Sequence, residues 1–348
     1  MKLTFRRFDL RLTHMWTIAS NVATGGKNIY PVVFIELRDG DGVVGVGESA
    51  PSSTYAENGE TAAAFLARVD VSQLSFEDVP GSMAYIESLA PKDFSPKGAL
   101  NIALLDGAAQ KARKPLHEFL GLGFTEGKHV TSFTIGIDTP EMMRKKTREA
   151  EQFPVLKIKV GGPNDEQNLA AVRAEAPTKR LRVDANEGWK TKEEALKKLE
   201  WLARDPNIEF VEQPMPASAS RADYAWLKER SPLPIMADES YLNASQLEVA
   251  AECFHAVNVK LCKTGGVTRG FEALSAARRA GLKTMLGCMI ESSVLISAGA
   301  HLAELTDYLD LDGNVLITND PYRGVRTERG VMSFAGVQPQ AGLCVAPR

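Results

Sequence analysis

The chain has 348 residues, of which 44% are hydrophobic and 24% charged, a composition typical of a folded globular protein. Lysine plus arginine number 41 and aspartate plus glutamate 44, so the net charge of −3 gives no electrostatic reason to expect nucleic acid or a membrane surface as a partner. No run reaches the roughly 18–20 apolar residues of a membrane span. No apolar segment follows the basic N-terminal residues, so the expected location is the cytoplasm. The four cysteines form no C-x-x-C pair and are expected to be reduced.

The first third of the chain is predicted to be an α+β domain, which we place at residues 1–125. Up to about residue 60, β-rich runs are broken by Asp-Gly and Gly turns, a pattern typical of an antiparallel meander. From there to about residue 122, apolar residues recur at three- and four-residue spacing, which predicts helices.

Residues 126–319 repeat a strand pattern followed by a helix pattern. Helix starts are indicated by Thr191 with Glu194 and by Asn243 with Gln246, and Gly281 ends a third helix. The eight strand-like runs are VTSFTIGI, PVLKIKVG, RLRVDAN, IEFVEQP, PIMADES, AVNVKLC, KTMLGCM and DYLDLDG. This predicts an α/β fold, a (β/α)8 barrel with an N-terminal capping domain, against the alternative of an open doubly wound sheet. Residues 320–348 are expected to pack back on the capping domain.

Charged residues end five successive predicted strands. Lys159, Asp184, Glu212, Asp238 and Lys260 follow one another at intervals of 25, 28, 26 and 22 residues, each about one βα unit. In a barrel they therefore meet at one rim, where catalytic residues lie. Three carboxylates with no histidine or cysteine favour Mg²⁺ over zinc. The alternative for any one of these acids is a solvated strand end or a helix cap.

Lysines flank the predicted carboxylate cluster on both sides. Lys157 and Lys159 share a strand face, and their mutual repulsion predicts a lowered pKa for each and a general-base role. Lys260 lies four strands away, across the ring, whereas Lys263 is expected to begin the following loop. A metal at the carboxylates would stabilise an enediolate, and one lysine would lie on each face of the substrate's α-carbon. We therefore predict a proton transfer that inverts the configuration of that carbon.

Five signatures resemble the enolase superfamily and, within it, the muconate-lactonizing-enzyme subgroup. They are K-x-K at 157–159, D-x-N at 184–186, E-Q-P at 212–214, D-E-S at 238–240 and N-x-K-x-x-K-x-G-G at 258–266. The resemblance implies one Mg²⁺ per subunit held by Asp184, Glu212 and Asp238, an acid/base pair of Lys159 and Lys260 assisted by Lys157, and Asn186 and Glu239 supporting the ligands. It also implies a possible homo-oligomer, by analogy alone.

Asp310 and Asp312 share a face of the eighth predicted strand, and two carboxylates outside the metal cluster call for a cation in the substrate. The alternative is that they are solvated or pair with an arginine of the C-terminal segment. The D-x-D motif resembles that of dipeptide epimerases, in which it holds the N-terminal ammonium of the substrate. That resemblance further implies substrate contacts for Thr134, Cys288 and Ile290.

One position departs from this pattern. Family members that act on L-Ala-D/L-Glu use an arginine of the capping domain to bind the glutamate side chain, and Asn21 aligns with that arginine. Lys27 in the same Gly-rich loop is a candidate replacement, and a neutral or hydrophobic second residue fits the change equally well.

The main hypothesis is a Mg²⁺-dependent dipeptide epimerase that inverts the α-carbon of the C-terminal residue, with peptidoglycan-peptide recycling as its role. The alternatives are an o-succinylbenzoate synthase, N-acylamino acid racemase or cycloisomerase of the same subgroup, or a barrel that binds without catalysis. Loops near residues 16–30 and 51–59 are expected to form a lid that excludes water.

Overall fold

The computed structural model describes all residues, 1–348, and begins with an antiparallel three-stranded sheet of order β1-β2-β3. Its strands are β1 (Lys2–Trp16), β2 (Lys27–Arg38) and β3 (Val44–Ser49). Four helices follow the sheet: α1 (Gly59–Leu66), α2 (Val79–Ser88), α3 (Phe94–Lys111) and α4 (Leu116–Phe119). We call this sheet with its helices the cap. The predicted meander and helices are both present.

Helix α3 packs directly on the cap sheet because two glycines of β3 leave room for it. A Cβ at Gly45 would overlap the carbonyl oxygen of Ala103, and one at Gly47 would overlap that of Ala99. Alternate residues of β2, such as Val33 and Ile35, are fully buried beneath this helix. The cap therefore has a small core of its own.

Eight parallel strands form the central sheet, in sequence order from β4 to β11. An isolated parallel bridge between Thr131 and Leu309 brings the first and last strands together, so the sheet is a nearly closed barrel and not an open one. The predicted barrel is confirmed. The strands are β4 (Phe133–Ile135), β5 (Val155–Lys159), β6 (Arg180–Asp184), β7 (Ile208–Glu212), β8 (Ile235–Ala237), β9 (Ala256–Lys260), β10 (Lys283–Gly287) and β11 (Tyr308–Asp310).

Helices surround the barrel, and four of them begin at a side chain that accepts a hydrogen bond from a backbone N–H of the first turn. Thr191 accepts a hydrogen bond from the Glu194 N–H, as predicted, whereas Asn243 caps a 3₁₀ turn (Ala244–Gln246) that leads into the α-helix. The helices are α5 (Pro140–Glu149), α6 (Asp165–Glu175), α7 (Lys192–Leu202), α8 (Arg221–Arg230), α9 (Leu247–Cys253), α10 (Leu261–Thr264), α11 (Val267–Arg279), α12 (Ser293–Ala300) and α13 (Gly313–Leu316). None of the chain's helices is long and apolar enough to cross a membrane.

The C-terminal segment contacts the barrel, where the Val325 N–H donates to the hydroxyl of Ser297 in α12 at 2.9 Å, and it also contacts the cap. The ring of Tyr322 lies 5.1 Å from that of Phe34 in the cap sheet, and the Leu343 N–H donates to Asp106 Oδ1 of α3 at 2.8 Å. Its four short strands are β12 (Tyr322–Arg323), β13 (Arg326–Glu328), β14 (Val331–Ser333) and β15 (Ala346–Pro347).

Candidate active site

A cavity of about 260 Å³ lies between the carboxyl ends of the barrel strands and the loops of the cap. We call the charged side chains at the barrel side the floor. Five of them line the cavity, Lys157, Lys159, Lys260, Asp310 and Asp312, and the other three, Asp184, Glu212 and Asp238, contact these lysines. We call the cap side chains that line the cavity from residues 16–30 and 51–59 the roof, which includes Trp16, Ile18, Lys27, Ser52, Ser53, Thr54 and Tyr55. Both loops predicted to form a lid therefore line the cavity.

The register of the barrel strands brings three carboxylates together. Asp184 pairs with Lys159 across β5 and β6 and with Glu212 across β6 and β7, and Asp238 follows β8 directly. One ligand oxygen from each of Asp184, Glu212 and Asp238 lies within 4.8 Å of the others, and all three side chains are buried. Charges buried this deeply require compensation.

The carboxylate cluster fits a hard divalent cation. Its ligand atoms are all oxygens, as Mg²⁺ prefers, and no histidine or cysteine belongs to the cluster. Glu212 Oε2 is buried without a hydrogen bond, although Lys157 Nζ lies 2.7 Å away. A buried carboxylate oxygen left in this state is suited to a metal ligand.

Lysines contact the cluster from both sides. Lys157 Nζ lies 3.0 Å from Asp184 Oδ2, and Lys159 Nζ lies 2.6 Å from the same oxygen. On the other side, Lys260 Nζ donates to Asp238 Oδ2 at 2.8 Å. Because β5 and β9 are four strands apart in a barrel of eight, Lys159 and Lys260 face each other across the cavity.

The predicted lowering of lysine pKa values by mutual repulsion is wrong for Lys157. Burial lowers the pKa of this lysine, but the carboxylates around it, Asp184 first, outweigh burial and hold the pKa well above its usual value. The pKa of Lys260 is likewise raised, because Asp238 and Glu212 overcome the effect of burial. For Lys157 and Lys260, repulsion from a neighbouring lysine is smaller than attraction to acids 2.7 to 3.0 Å away.

The eighth strand places a second pair of acids in the cavity wall. Asp310 accepts hydrogen bonds from Lys157 Nζ and from the hydroxyl of Ser132, both at 2.7 Å. Asp312 accepts one from the Thr134 N–H at 2.6 Å. Burial and the nearby Asp310 raise the pKa of Asp312 to about 6. Burial also opposes ionisation of Asp310, but Lys157 lowers its pKa to about 2. Both acids are buried at the site, and neither is solvated.

The other predicted residues of the barrel rim also line the cavity. Thr134 lies beside the acid pair, with its hydroxyl 3.3 Å from Asp310 Oδ1, and Cys288 Sγ lies 3.6 Å from Asp312 Oδ1. Asn186 donates a long hydrogen bond of 3.4 Å to Glu239. The remaining residue of this group, Ile290, lines the cavity as well.

Asn21 is not among the residues that line the cavity. Its side chain accepts a hydrogen bond from the Ile18 N–H at 2.8 Å and donates to the carbonyl of Trp16 at 3.3 Å. The amide therefore shapes the turn that follows β1, and the structure does not place it toward a substrate. The nearby Lys27 does line the cavity and forms no ion pair.

Two residues to which the sequence analysis gave no role lie at the site. Lys263 is buried in α10 and contacts Asp238, which corrects the prediction that it begins a loop. Tyr55 lines the roof near Asp238 and Lys260. Its loop has no periodic pattern that could have indicated this. For Lys263, the K-x-x-K spacing from Lys260 is the one sequence feature that could have indicated a role at the site.

Glu48 joins the cap to the barrel loop that carries Cys288 and Ile290. Its carboxylate accepts hydrogen bonds from the hydroxyl of Ser292 at 2.6 Å and from its N–H at 2.9 Å, at the start of α12. Burial raises the pKa of Glu48 to about 8. A cap carboxylate thus satisfies the free N–H groups of a barrel helix.

Two family models match the chain. The model described as "Mandelate racemase / muconate lactonizing enzyme, N-terminal domain" matches residues 10–121, and the model described as "Enolase C-terminal domain-like" matches residues 141–327.

Similar proteins cover almost the whole chain. The L-Ala-D/L-amino acid epimerase of Pedosphaera parvula is 57% identical over 345 residues, which is 99% of each chain. The L-Ala-D/L-Glu epimerase of Bacteroides thetaiotaomicron is 37% identical over 339 residues, 96% of this chain and 85% of that protein. The crystal structure of a dipeptide epimerase from Enterococcus faecalis complexed with Mg and the dipeptide L-Leu-L-Tyr has a TM-score of 0.88 at 27% identity and covers 99% of each chain.

Proposed function

The chain belongs to the mandelate racemase / muconate lactonizing enzyme family, and we propose that it is a Mg²⁺-dependent dipeptide epimerase that inverts the α-carbon of the C-terminal residue. One observation carries the proposal. Two lysines from opposite sides of the barrel line one cavity, with a cluster of three carboxylates and a separate acid pair at its floor. The relatives named as dipeptide epimerases support the same activity.

The acid pair accounts for the free amino group of a dipeptide. Asp310 is held by Lys157 and Ser132, and Asp312 by the Thr134 N–H, so both carboxylates are fixed before a substrate arrives. A substrate ammonium bound to them would leave the carboxyl end of the dipeptide near the cluster of Asp184, Glu212 and Asp238. When bound by that cluster, Mg²⁺ supplies positive charge that stabilises an enediolate.

The two lysines move the proton. Lys159, as a free amine, takes the α-proton of the second residue, and the electron pair of the C–H bond moves into the enediolate. Lys260, as an ammonium, returns a proton to the same carbon from the opposite face. The substrate is neither oxidised nor reduced: it loses one proton to Lys159 and gains one from Lys260. Inversion follows because the two lysines approach from opposite sides.

The roof surrounds the remaining substituent, the side chain of the second residue. Ile18 and Tyr55 give it an apolar wall, and Lys27 is its cation. This combination suits an apolar side chain, or an acidic one that reaches Lys27. An L-Ala-D/L-Glu substrate would place the enzyme in the recycling of peptidoglycan peptides.

The activity can be tested with a library of L,L-dipeptides and Mg²⁺, with products separated by chiral chromatography. We expect inversion of the second residue only, for a defined subset of dipeptides, and no inversion after EDTA treatment. Inversion of neither residue in any dipeptide would contradict the proposed function.

A further inference from the structure

Lys263 is a buried lysine that the mechanism above does not use. Its side chain is 0% exposed. Its ammonium donates to the backbone carbonyl of Asp238 and, at 2.5 Å, to Asp238 Oδ1. The other oxygen of the same carboxylate, Oδ2, accepts from Lys260 at 2.8 Å. The two oxygens of Asp238 are therefore held by two different lysines.

Each carboxylate of the cluster has one oxygen anchored by a group outside the acid/base pair. Asp184 Oδ1 accepts from the Asn186 N–H at 2.9 Å, and Glu212 Oε1 accepts from the Asn258 amide at 2.8 Å. Lys263 is the corresponding anchor of Asp238. The second oxygen of each carboxylate contacts Lys157, Lys159 or Lys260.

The turn that carries Lys263 is fixed by the cap. A Cβ at Gly98 of α3 would lie 2.9 Å from the backbone nitrogen of Gly266, so the cap helix touches the end of this turn. Asn101 of α3 also exchanges hydrogen bonds with Thr268, at 2.8 and 3.1 Å. Lys263 is thus held by a rigid turn, whereas Lys260 has to leave Asp238 in order to reach a substrate carbon.

We propose that Lys263 is a positioning residue that keeps Asp238 oriented as a metal ligand while Lys260 serves the substrate. Of the three anchors, it is the one that carries a charge. Without it, departure of Lys260 would leave a buried carboxylate with no side-chain donor, a costly state that rotation of Asp238 would relieve. The role of Lys260 in this proposal rests on the proposed function, whereas the role of the metal ligands rests on the cluster itself.

The test measures Mg²⁺ affinity by isothermal titration calorimetry, without substrate, on Lys263→Met. Methionine keeps the length of the side chain and removes its charge and donors. Loss of a group that orients a metal ligand typically weakens binding about 10- to 100-fold, and we expect an increase in Kd of this size. Lys97→Met is the matched control, because Lys97 is equally buried but bonds Glu87 and Ala90 outside the site. It should lower Tm and leave the Kd for Mg²⁺ unchanged.

Lys263→Gln keeps a hydrogen-bond donor but removes the charge, and it allows a second Kd measurement if the methionine variant does not fold. We expect its Kd to lie between those of wild type and Lys263→Met. If folded Lys263 variants bind Mg²⁺ with the same Kd as the wild-type protein, the proposal is overturned. It is also overturned if the wild-type protein does not bind Mg²⁺. Weakened binding in the variants, with no inversion of any dipeptide by the wild type, would support Lys263 as the anchor and refute the proposed function.

Discussion

The floor and the roof of the cavity are built in different ways. In the floor, every carboxylate contacts a lysine or a backbone N–H, and the side chains come from successive strands held in register. In the roof, side chains come from two loops of the cap, and Lys27 has no ionic partner. The floor therefore sets the type of reaction, and the roof sets which side chain is accepted.

Of the three floor lysines, removal of Lys159 or of Lys260, the proposed acid/base pair, should have the largest effect. A positioned acid or base typically contributes about 10²- to 10⁴-fold, so Lys159→Ala and Lys260→Ala should each reduce kcat for epimerisation by a factor in this range. Circular dichroism and Tm would establish that the variants fold. Normal inversion by either folded variant would contradict the division of roles between floor and roof.

Asp310→Asn tests the ammonium site of the floor. A hydrogen bond to a charged group is worth about 1.5–3 kcal/mol, so kcat/KM for dipeptides should fall by about 10- to 100-fold. N-acetylated dipeptides, which lack the ammonium, are the matched control and should react poorly with both proteins. An unchanged kcat/KM for free dipeptides would instead favour a lyase or cycloisomerase whose substrate carries no ammonium.

His301 offers a test that involves neither floor nor roof. Burial, with a smaller effect from His117 at 2.8 Å, lowers the pKa of His301 to about 3. The unfolded chain binds this proton near pH 6.5, so the stability that the neutral imidazole contributes is complete above that pH and is lost as the pH falls toward 3. The contribution of His301 to the free energy of unfolding should therefore fall by about 2 kcal/mol between pH 7 and pH 5.

His301→Gln is the variant for that measurement. Urea unfolding at several pH values should show a smaller loss between pH 7 and pH 5 than in the wild-type protein. An identical pH dependence in the two proteins would contradict the buried neutral state of His301.

Lys27→Met should have the smallest effect and should alter selectivity alone. Because Lys27 is exposed at the roof, the ratio of kcat/KM for Ala-Glu to that for Ala-Leu should fall by less than about 10-fold, with kcat little changed. Equal decreases in kcat/KM for both dipeptides would show that Lys27 supports the reaction and does not select the side chain.

The floor could be predicted from sequence because strand alternation and strand spacing are local patterns. Lys159, Asp184 and Glu212 end apolar runs one βα unit apart, and parallel pairing must then bring them to one level. The pKa direction of Lys157 could not be predicted in the same way. It depends on the balance between burial and contacts with three carboxylates, which only the packed structure provides.

Of the roof, the sequence predicted two loops and one cavity-lining side chain, Lys27. Alignment placed Asn21 at a substrate-binding position, but its amide is used by the backbone of its own turn. Tyr55 and Glu48 gain their neighbours from segments distant in sequence, such as Ser292, and no local periodicity reports such contacts.

Epimer-resolved deuterium exchange tests the central claim, two lysines on opposite faces of one carbon, most directly. A reactive dipeptide would be incubated in D₂O with Mg²⁺ as its L,L and L,D forms, separately, and exchange at the second α-carbon followed by mass spectrometry. We expect wild-type enzyme to exchange both epimers, whereas Lys159→Ala and Lys260→Ala should each exchange one epimer, and not the same one. Exchange of both epimers by either variant, or of the same epimer by both, would contradict the two-lysine mechanism.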